Sequence, residues 1–540
     1  YASSVHRDEF GITKGTFWSN DGRKLAYYRM DQSMVKDYPI IDWTERPAQV
    51  ENIKYPMAGD KSHEVTLWVY NVETAKNIKI QTTGPAEQYL TNVAWSPDDK
   101  YVYIAVLNRE QNHMWLNQYD ATSGNFVKTL FEETNDKYVE PLVPILFVKN
   151  QPDHFIWQSR RDGWTHLYLY QADGKLLKQL TSGNWEVIDV KGFDDKGAHL
   201  FYLSNQASPV SRNLFSLNLA SGKIKSITSG DNVHNAMVST DGLFVLDNQS
   251  SISNPRTVEL IDLKSGKKKL LLQAKNPLEL YGTGRLNIFT IKNNEGTDLY
   301  CRMFRPVNFD STKKYPVIVY WYGGPHNQLI TNSWNGGAGD YWFQYLAENG
   351  FVVFSLDVHG SSYRGRAFEQ SIHRSVGRMQ IADLVSGTNY LKSLSFVDST
   401  RMGLFGWSFG GFLTTNFMLT QPDIFKVAVA GGPVIDWKYY EIMYTERYMD
   451  SPQENPEGYE ATNLVSRVGN LKGKLMLIHG LQDNVVVQQH SVNFVRAAIS
   501  KNIQVDYMIY PGHEHNVLGK DRAHLYQKVT DYLFQYLRDY

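Results

Sequence analysis

Three residues in one chain order could carry out acyl-transfer chemistry: a serine, then an aspartate, then a histidine. In Gly406-Trp407-Ser408-Phe409-Gly410-Gly411, glycines flank a serine at the spacing of a sharp strand-to-helix corner. Only residues without a Cβ let two elements close up that tightly, so the corner would lift the Ser408 hydroxyl out as a nucleophile. A nucleophilic serine needs a base to take its proton and an acid to orient that base. The apolar run Lys474 to His479 leads into Gly480-Leu481-Gln482-Asp483, which makes Asp483 the expected acid. The run Gln504 to Tyr510 leads into Pro511-Gly512-His513-Glu514-His515, which supplies the base. His515 is expected in that role rather than His513. His479, at a strand end, and His490, within a helical pattern, read as packing residues. In such a site the backbone N–H of Phe409, next to the nucleophile, is a natural donor to the developing oxyanion.

These side chains need a frame. Arg401 to Phe405 reads as a short apolar strand, and Phe412 to Leu419 as a helix without a breaker before Pro422. Strands are expected at Val317 to Tyr322, Phe351 to Leu356, Met402 to Phe405, Val427 to Ala430, Lys474 to His479 and Gln504 to Tyr510. Most of the intervening segments are long enough for a helix. The pattern over 277–540 is a doubly wound α/β sheet of the α/β-hydrolase kind, with all three candidates at the C-terminal ends of strands.

Residues 1–276 follow another rule. Phe17-Trp18-Ser19-Asn20-Asp21-Gly22 through Tyr28 closely matches Ala94-Trp95-Ser96-Pro97-Asp98-Asp99 through Ile104, with looser copies at Phe193 to Tyr202 and Val238 to Val245. Each is an apolar strand end, an Asp-rich turn and a second strand. Irregular four-strand repeats of about 40 to 50 residues indicate a β-propeller, here with roughly five to six blades. The chain opens without an introductory element, so further N-terminal blades are expected, completing an eight-bladed ring. A pair of β-sandwiches is the competing reading.

At 540 residues the chain is too long for one core. Its 55 basic and 56 acidic residues leave a formal charge of -1, which gives no reason to expect nucleic acid or an acidic membrane surface. The single Cys301 excludes an intrachain disulfide framework and a multi-cysteine metal site. No apolar run reaches the ~18 residues of a membrane span. Tyr1 is not followed by a leader, and a processed or deleted segment is expected to precede it.

Gly432-Pro433-Val434-Ile435-Asp436-Trp437, Tyr439-Tyr440-Glu441 and Tyr444-Thr445-Glu446-Arg447-Tyr448, together with the Ser-Asp-His order behind a propeller, resemble the dipeptidyl peptidase IV branch of the prolyl oligopeptidase family of serine peptidases. Tyr28 to Ser33, Gln158 to Trp164, Tyr322 to His326 and His513 to Val517 are most similar to the prolyl tripeptidyl peptidases of that branch. The resemblance implies an exopeptidase acting on peptides with a free amino terminus, releasing a tripeptide by cleavage after a proline in third position. The alternative is dipeptide release after a penultimate proline.

The resemblance also implies the roles of further residues. Val434, Trp437, Tyr440, Tyr444 and Val485 would wall a proline pocket, and the Tyr322 hydroxyl would be the second oxyanion donor. Glu441 would anchor the substrate ammonium, with Glu9, in preference to Asp8, as a second anchor from the propeller. Tyr440 and Tyr444, four residues apart, are expected on one face of a short helix that also carries Glu441. No metal or organic cofactor is implied. A homodimer exported to the periplasm or cell envelope is. An esterase on the same scaffold, or a binding propeller with an inert hydrolase domain, would explain less of the sequence.

Overall fold

The computed structural model describes residues 10–339 and 341–538, so Asp8 and Glu9 lie outside the described residues. The repeated sequence unit becomes the same hairpin each time. In three copies a serine hydroxyl donates to the aspartate two residues on: Ser19 to Asp21 at 2.7 Å, Ser96 to Asp98 at 2.8 Å and Ser239 to Asp241 at 2.5 Å. The same oxygen accepts the backbone N–H five residues on, at 2.9 Å in all three. In the copy at Phe193 to Tyr202, Asp194 does this work, accepting the N–H groups of Ala198 at 2.7 Å and His199 at 3.1 Å. Local side-chain bonds of this kind close the turn and set the register of the two strands.

Each hairpin is extended to a four-stranded antiparallel sheet, and five such sheets run from Thr16 to Gln273 as the blades of a propeller. The aromatic residues pack between blades. Tyr170 stacks on Phe131 at 4.5 Å and on Phe155 at 5.3 Å, for example, joining the second blade to the third. The last strand of the fifth blade, Lys268–Gln273, is exposed throughout, with Leu270 56%, Leu271 50% and Leu272 44% accessible.

The first blade carries an insertion. Between its second and third strands a hairpin, Asp37–Asp42 with Gln49–Lys54, reaches toward the C-terminal domain. Gln482 Nε2 donates to the carbonyl of Ile41 at 3.3 Å, and the Tyr55 hydroxyl donates to the carbonyl of Val485 at 2.6 Å.

The C-terminal domain is built on one eight-stranded sheet. In spatial order its strands are Leu286–Lys292, Asp298–Phe304, Val352–Leu356, Tyr315–Tyr320, Val397–Trp407, Val427–Gly431, Lys474–Gly480 and Asp506–Tyr510. The last six are mutually parallel, and the first two, absent from the sequence expectation, are antiparallel. Alternate residues enter opposite cores: Val317, Val319, Leu404 and Leu477 on one face, Ile318, Phe405, Met476 and Ile478 on the other. Both faces are buried, so the strands read as unbroken apolar runs. Among the described residues no helix is long and apolar enough to cross a membrane.

Candidate active site

Ser408 sits between the central strand Val397–Trp407 and the helix Phe409–Thr420, with φ 59° and ψ -118°. That is a strained conformation for a residue with a side chain, costing on the order of 1–3 kcal/mol. Close packing around the corner holds it there. A Cβ on Gly406 would lie 2.3 Å from the carbonyl oxygen of Gly410, and one on Gly410 would lie 2.5 Å from that of Trp321. The spacing of glycines around the serine is therefore a packing requirement.

The histidine loop is tied to this corner from two sides. Trp407 Nε1 donates to the carbonyl of His515 at 3.0 Å. The Ser408 N–H donates to the carbonyl of Gly431 at 2.8 Å, and the His515 ring lies against the following residue, where a Cβ on Gly432 would come within 3.1 Å of Cε1. His515 Nδ1 is 2.8 Å from Asp483 Oδ2. Asp483 is only 1% exposed, and its Oδ1 accepts the N–H groups of Val485 at 2.9 Å and Val486 at 2.8 Å. Burial alone would raise the Asp483 pKa. The charge of His515 and the hydrogen bonds from His479 and His515 outweigh burial, and hold the carboxyl well below the usual carboxylate range.

The neighbouring histidines divide. His513 turns away to Asp521, 3.0 Å from it. His490 is buried, accepts the N–H of Ile435 at 3.1 Å through Nδ1, and is kept neutral by burial, which lowers its pKa to about 3. His479 does more than pack. Its Nε2 lies 2.7 Å from the carbonyl of Val486 and 3.3 Å from Asp483 Oδ2, and its Nδ1 lies 2.8 Å from Ser491 Oγ. A carbonyl can only accept, so Nε2 carries a proton and points it at the loop that holds Asp483. The i,i+4 spacing of His479 and Asp483 across the strand end was the available sequence signal.

Beside the corner the aromatic residues form one wall. The rings of Trp437 and Tyr444 are parallel within 5° at 6.1 Å, and Tyr440 stands edge-on to Trp437 at 5.6 Å and to Tyr444 at 5.4 Å. Phe409 meets Trp437 at 5.5 Å and Tyr322 at 6.4 Å. Val434 and Val485 belong to the same apolar cluster.

Two relatives by sequence are fungal proteins named dipeptidyl-aminopeptidase B. That of Botryotinia fuckeliana is 27% identical over 578 residues, and that of Sclerotinia sclerotiorum 28%. In each case 98% of this chain is matched, and the chain spans 61% of the relative's length. Residues 2–256 match the dipeptidyl peptidase IV N-terminal region and residues 339–539 the prolyl oligopeptidase family. A Bacteroides ovatus crystal structure, assigned by name to the dipeptidyl aminopeptidase IV type, superposes with a TM-score of 0.95 at 44% identity, covering 99% of this chain and 78% of the other. The chain belongs to the prolyl oligopeptidase family. Within it the likeness is to the dipeptidyl peptidase IV branch, and Porphyromonas gingivalis dipeptidyl peptidase 4 also superposes, with a TM-score of 0.93, 29% identity, and 99% and 76% coverage.

Two details of this prolyl oligopeptidase-family site depart from the sequence expectation. Tyr440 is not on the helix of Tyr444: that helix spans Ile442–Met449, and Tyr440 is extended, with φ -93° and ψ 161°. Glu441 is its N-cap. Its Oε2 accepts the N–H of Met443 at 2.9 Å and its Oε1 that of Tyr444 at 2.8 Å, and the residue is 1% exposed. The candidate anchor thus also terminates the helix that presents Tyr444.

The two domains enclose a cavity of about 460 Å3 whose lining includes Arg160, Glu186, His326, Ser362 and Glu369. The aromatic wall extends toward it, since Tyr444 meets Tyr448 at 4.8 Å and Tyr448 meets the cavity-lining Tyr138 at 5.4 Å. Arg160 of the propeller faces three carboxylates there: Glu369 at 2.7 Å, Glu140 at 3.0 Å and Glu186 at 3.4 Å. Among the described residues no group of three His, Cys, Asp or Glu side chains is arranged to hold a metal ion.

Proposed function

We propose that this chain carries the catalytic site of a dipeptidyl peptidase IV-type serine exopeptidase, which removes dipeptides from a free amino terminus by cleaving after a penultimate proline. The observation that carries the reading is the aromatic wall against Phe409, adjoining Ser408. A proline ring is a compact apolar disc that packs on aromatic faces, and the Trp437, Tyr440 and Tyr444 rings offer such faces. Val434 and Val485 complete the wall.

In this mechanism Ser408 attacks the carbonyl of the proline while His515 takes the hydroxyl proton. His515 then protonates the leaving amine, and Asp483 stabilises the imidazolium. The Phe409 N–H and the Tyr322 hydroxyl stabilise the oxyanion. Water hydrolyses the acyl-enzyme. Glu441 holds the substrate ammonium by a charge-assisted hydrogen bond, and Glu9 would assist from the propeller. The proposed domains are 1–276 and 277–540, with the change of architecture between Gln273 and Leu286.

Tripeptide release, the first expectation from sequence, gives way to dipeptide release because the relatives above carry dipeptidyl names. The test compares chromogenic Gly-Pro and Ala-Ala-Pro amides, each with a free and an acetylated amino terminus, on the complete gene product. Preference for free Gly-Pro is expected. Preference for free Ala-Ala-Pro would restore the tripeptide reading, and indifference to acetylation would end the exopeptidase reading.

A further inference from the structure

The helix Ile442–Met449 belongs in sequence to the hydrolase domain, but many of its attachments run to the propeller. Ile442 and Met443 are buried in the apolar core shared by the second and third blades, with Leu116, Phe155 and Tyr168. The polar bonds come mainly from one tight turn of the second blade, between the strands Tyr101–Leu107 and His113–Asp120. From that turn Gln111, wholly buried and in a left-handed conformation with φ 56°, donates Nε2 to the carbonyl of Met443 at 2.7 Å. Its Oε1 accepts Arg447 Nε at 2.8 Å. One amide therefore grips two residues a helical turn apart.

Arg109 of the same turn forks onto Glu446, the residue before Arg447. Its Nε and Nη2 donate to Glu446 Oε2 at 3.0 Å and Oε1 at 2.9 Å, and Nη2 also donates to the carbonyl of Asp60 at 2.7 Å. A bidentate guanidinium-carboxylate pair fixes orientation as well as distance. The segment after the inserted hairpin completes the clamp: Ile442 donates its N–H to Pro56 at 3.0 Å, Ala58 donates to Tyr440 at 3.0 Å, and Gly59 donates to Glu446 Oε1 at 2.8 Å.

Tyr444 projects from this clamped helix and faces Trp437, which sits in the main core of the hydrolase domain beneath Phe412. The spacing of the two rings is thus set between domains. We propose that Arg109 and Gln111 are positioning residues of the aromatic pocket: by holding Ile442–Met449 on the propeller they fix the Tyr444–Trp437 gap, and with it selectivity for proline over a smaller residue before the scissile bond. The inference rests on the proline-pocket reading given above.

The test uses the complete gene product with Arg109→Met, Gln111→Met and Arg109→Lys. Active sites are counted by fluorophosphonate titration of Ser408, and the kcat/KM ratio of free-amine Gly-Pro to Gly-Ala amides is measured per site. Arg109→Met and Gln111→Met are expected to lower that ratio about tenfold, chiefly through a higher KM for Gly-Pro, with Arg109→Lys in between. The rate of Ser408 phosphonylation is expected to stay within about twofold of the parent. An unchanged ratio per titrated site overturns the inference, as does phosphonylation that falls in step with peptide turnover. If Arg109→Met does not accumulate as folded protein, Glu446→Gln, which keeps the shape and removes the charge, is read by the same ratio. A parent enzyme that shows no proline preference overturns the pocket reading itself, a result distinct from a preference that is present and insensitive to Arg109.

Discussion

Asp483 meets His515 with one carboxylate oxygen and the backbone with the other, so the group cannot turn over without breaking its bonds to Val485 and Val486. In Asp483→Asn the amide oxygen would keep the backbone bonds and the amide N–H would face His515 Nδ1. The imidazole would then be held with its proton on Nε2, where it cannot accept one from Ser408. We expect kcat on Gly-Pro amides to fall about 10⁴-fold with the melting temperature near that of the parent at neutral pH. Retention of more than a tenth of kcat would remove Asp483 from the proposed role.

The cavity between the domains makes a pH prediction. Burial, reinforced by the nearby Glu186 and Glu140 charges and opposed by Arg160, pushes the Glu369 carboxyl up to about 7 from its ordinary 4.5. Between those values the folded protein holds a proton that the unfolded chain has released, so stability should decline as pH rises through that range. Glu369→Gln should flatten this slope in melting temperatures recorded from pH 5 to pH 8. Parallel slopes for the two proteins would count against it.

The Tyr322 ring is held close to Phe409, and the chain makes room for it at Gly324, where a Cβ would lie 2.7 Å from Tyr322 Cε1. Tyr322→Phe should lower kcat by about 10²- to 10³-fold with little change in KM, the cost of one oxyanion donor. Gly324→Ala displaces the ring and should cost activity even with the hydroxyl present. Steady-state kinetics on both variants decide this, and an unaffected Tyr322→Phe enzyme would leave the second donor unassigned.

Much of this arrangement was legible in the sequence because its signals are local. The glycines around Ser408, the aspartate after Lys474–Gly480 and the histidine after Asp506–Tyr510 each sit at a strand end that the apolar runs mark out. The Asp-rich turns marked the blade hairpins in the same way. What escaped was set by tertiary contacts or by an unusual cap. Tyr440 and Tyr444 have helical spacing, but the helix begins after Glu441, a residue type outside the usual Ser, Thr, Asp and Asn caps. Their rings still meet, through the approach of segments rather than along one helix face. The attachment of Pro56, Gly59 and Gln111 to Ile442–Met449 spans more than 300 positions, and no periodicity reports it.

The outer strand of the fifth blade has a physical consequence of its own. Lys268–Gln273 lies at a sheet edge, and three exposed leucines follow three lysines, Lys267 to Lys269. A bare apolar edge is a template for strand addition by another molecule, and lysines beside it repel an approaching copy. That protection is Coulombic, and it shortens with the Debye length, from ~10 Å at 0.1 M salt to ~3 Å at 1 M. Concentrated solutions of this chain should therefore grow more turbid as salt is added, the reverse of ordinary salting-in, and replacing Leu271 with lysine should clear them.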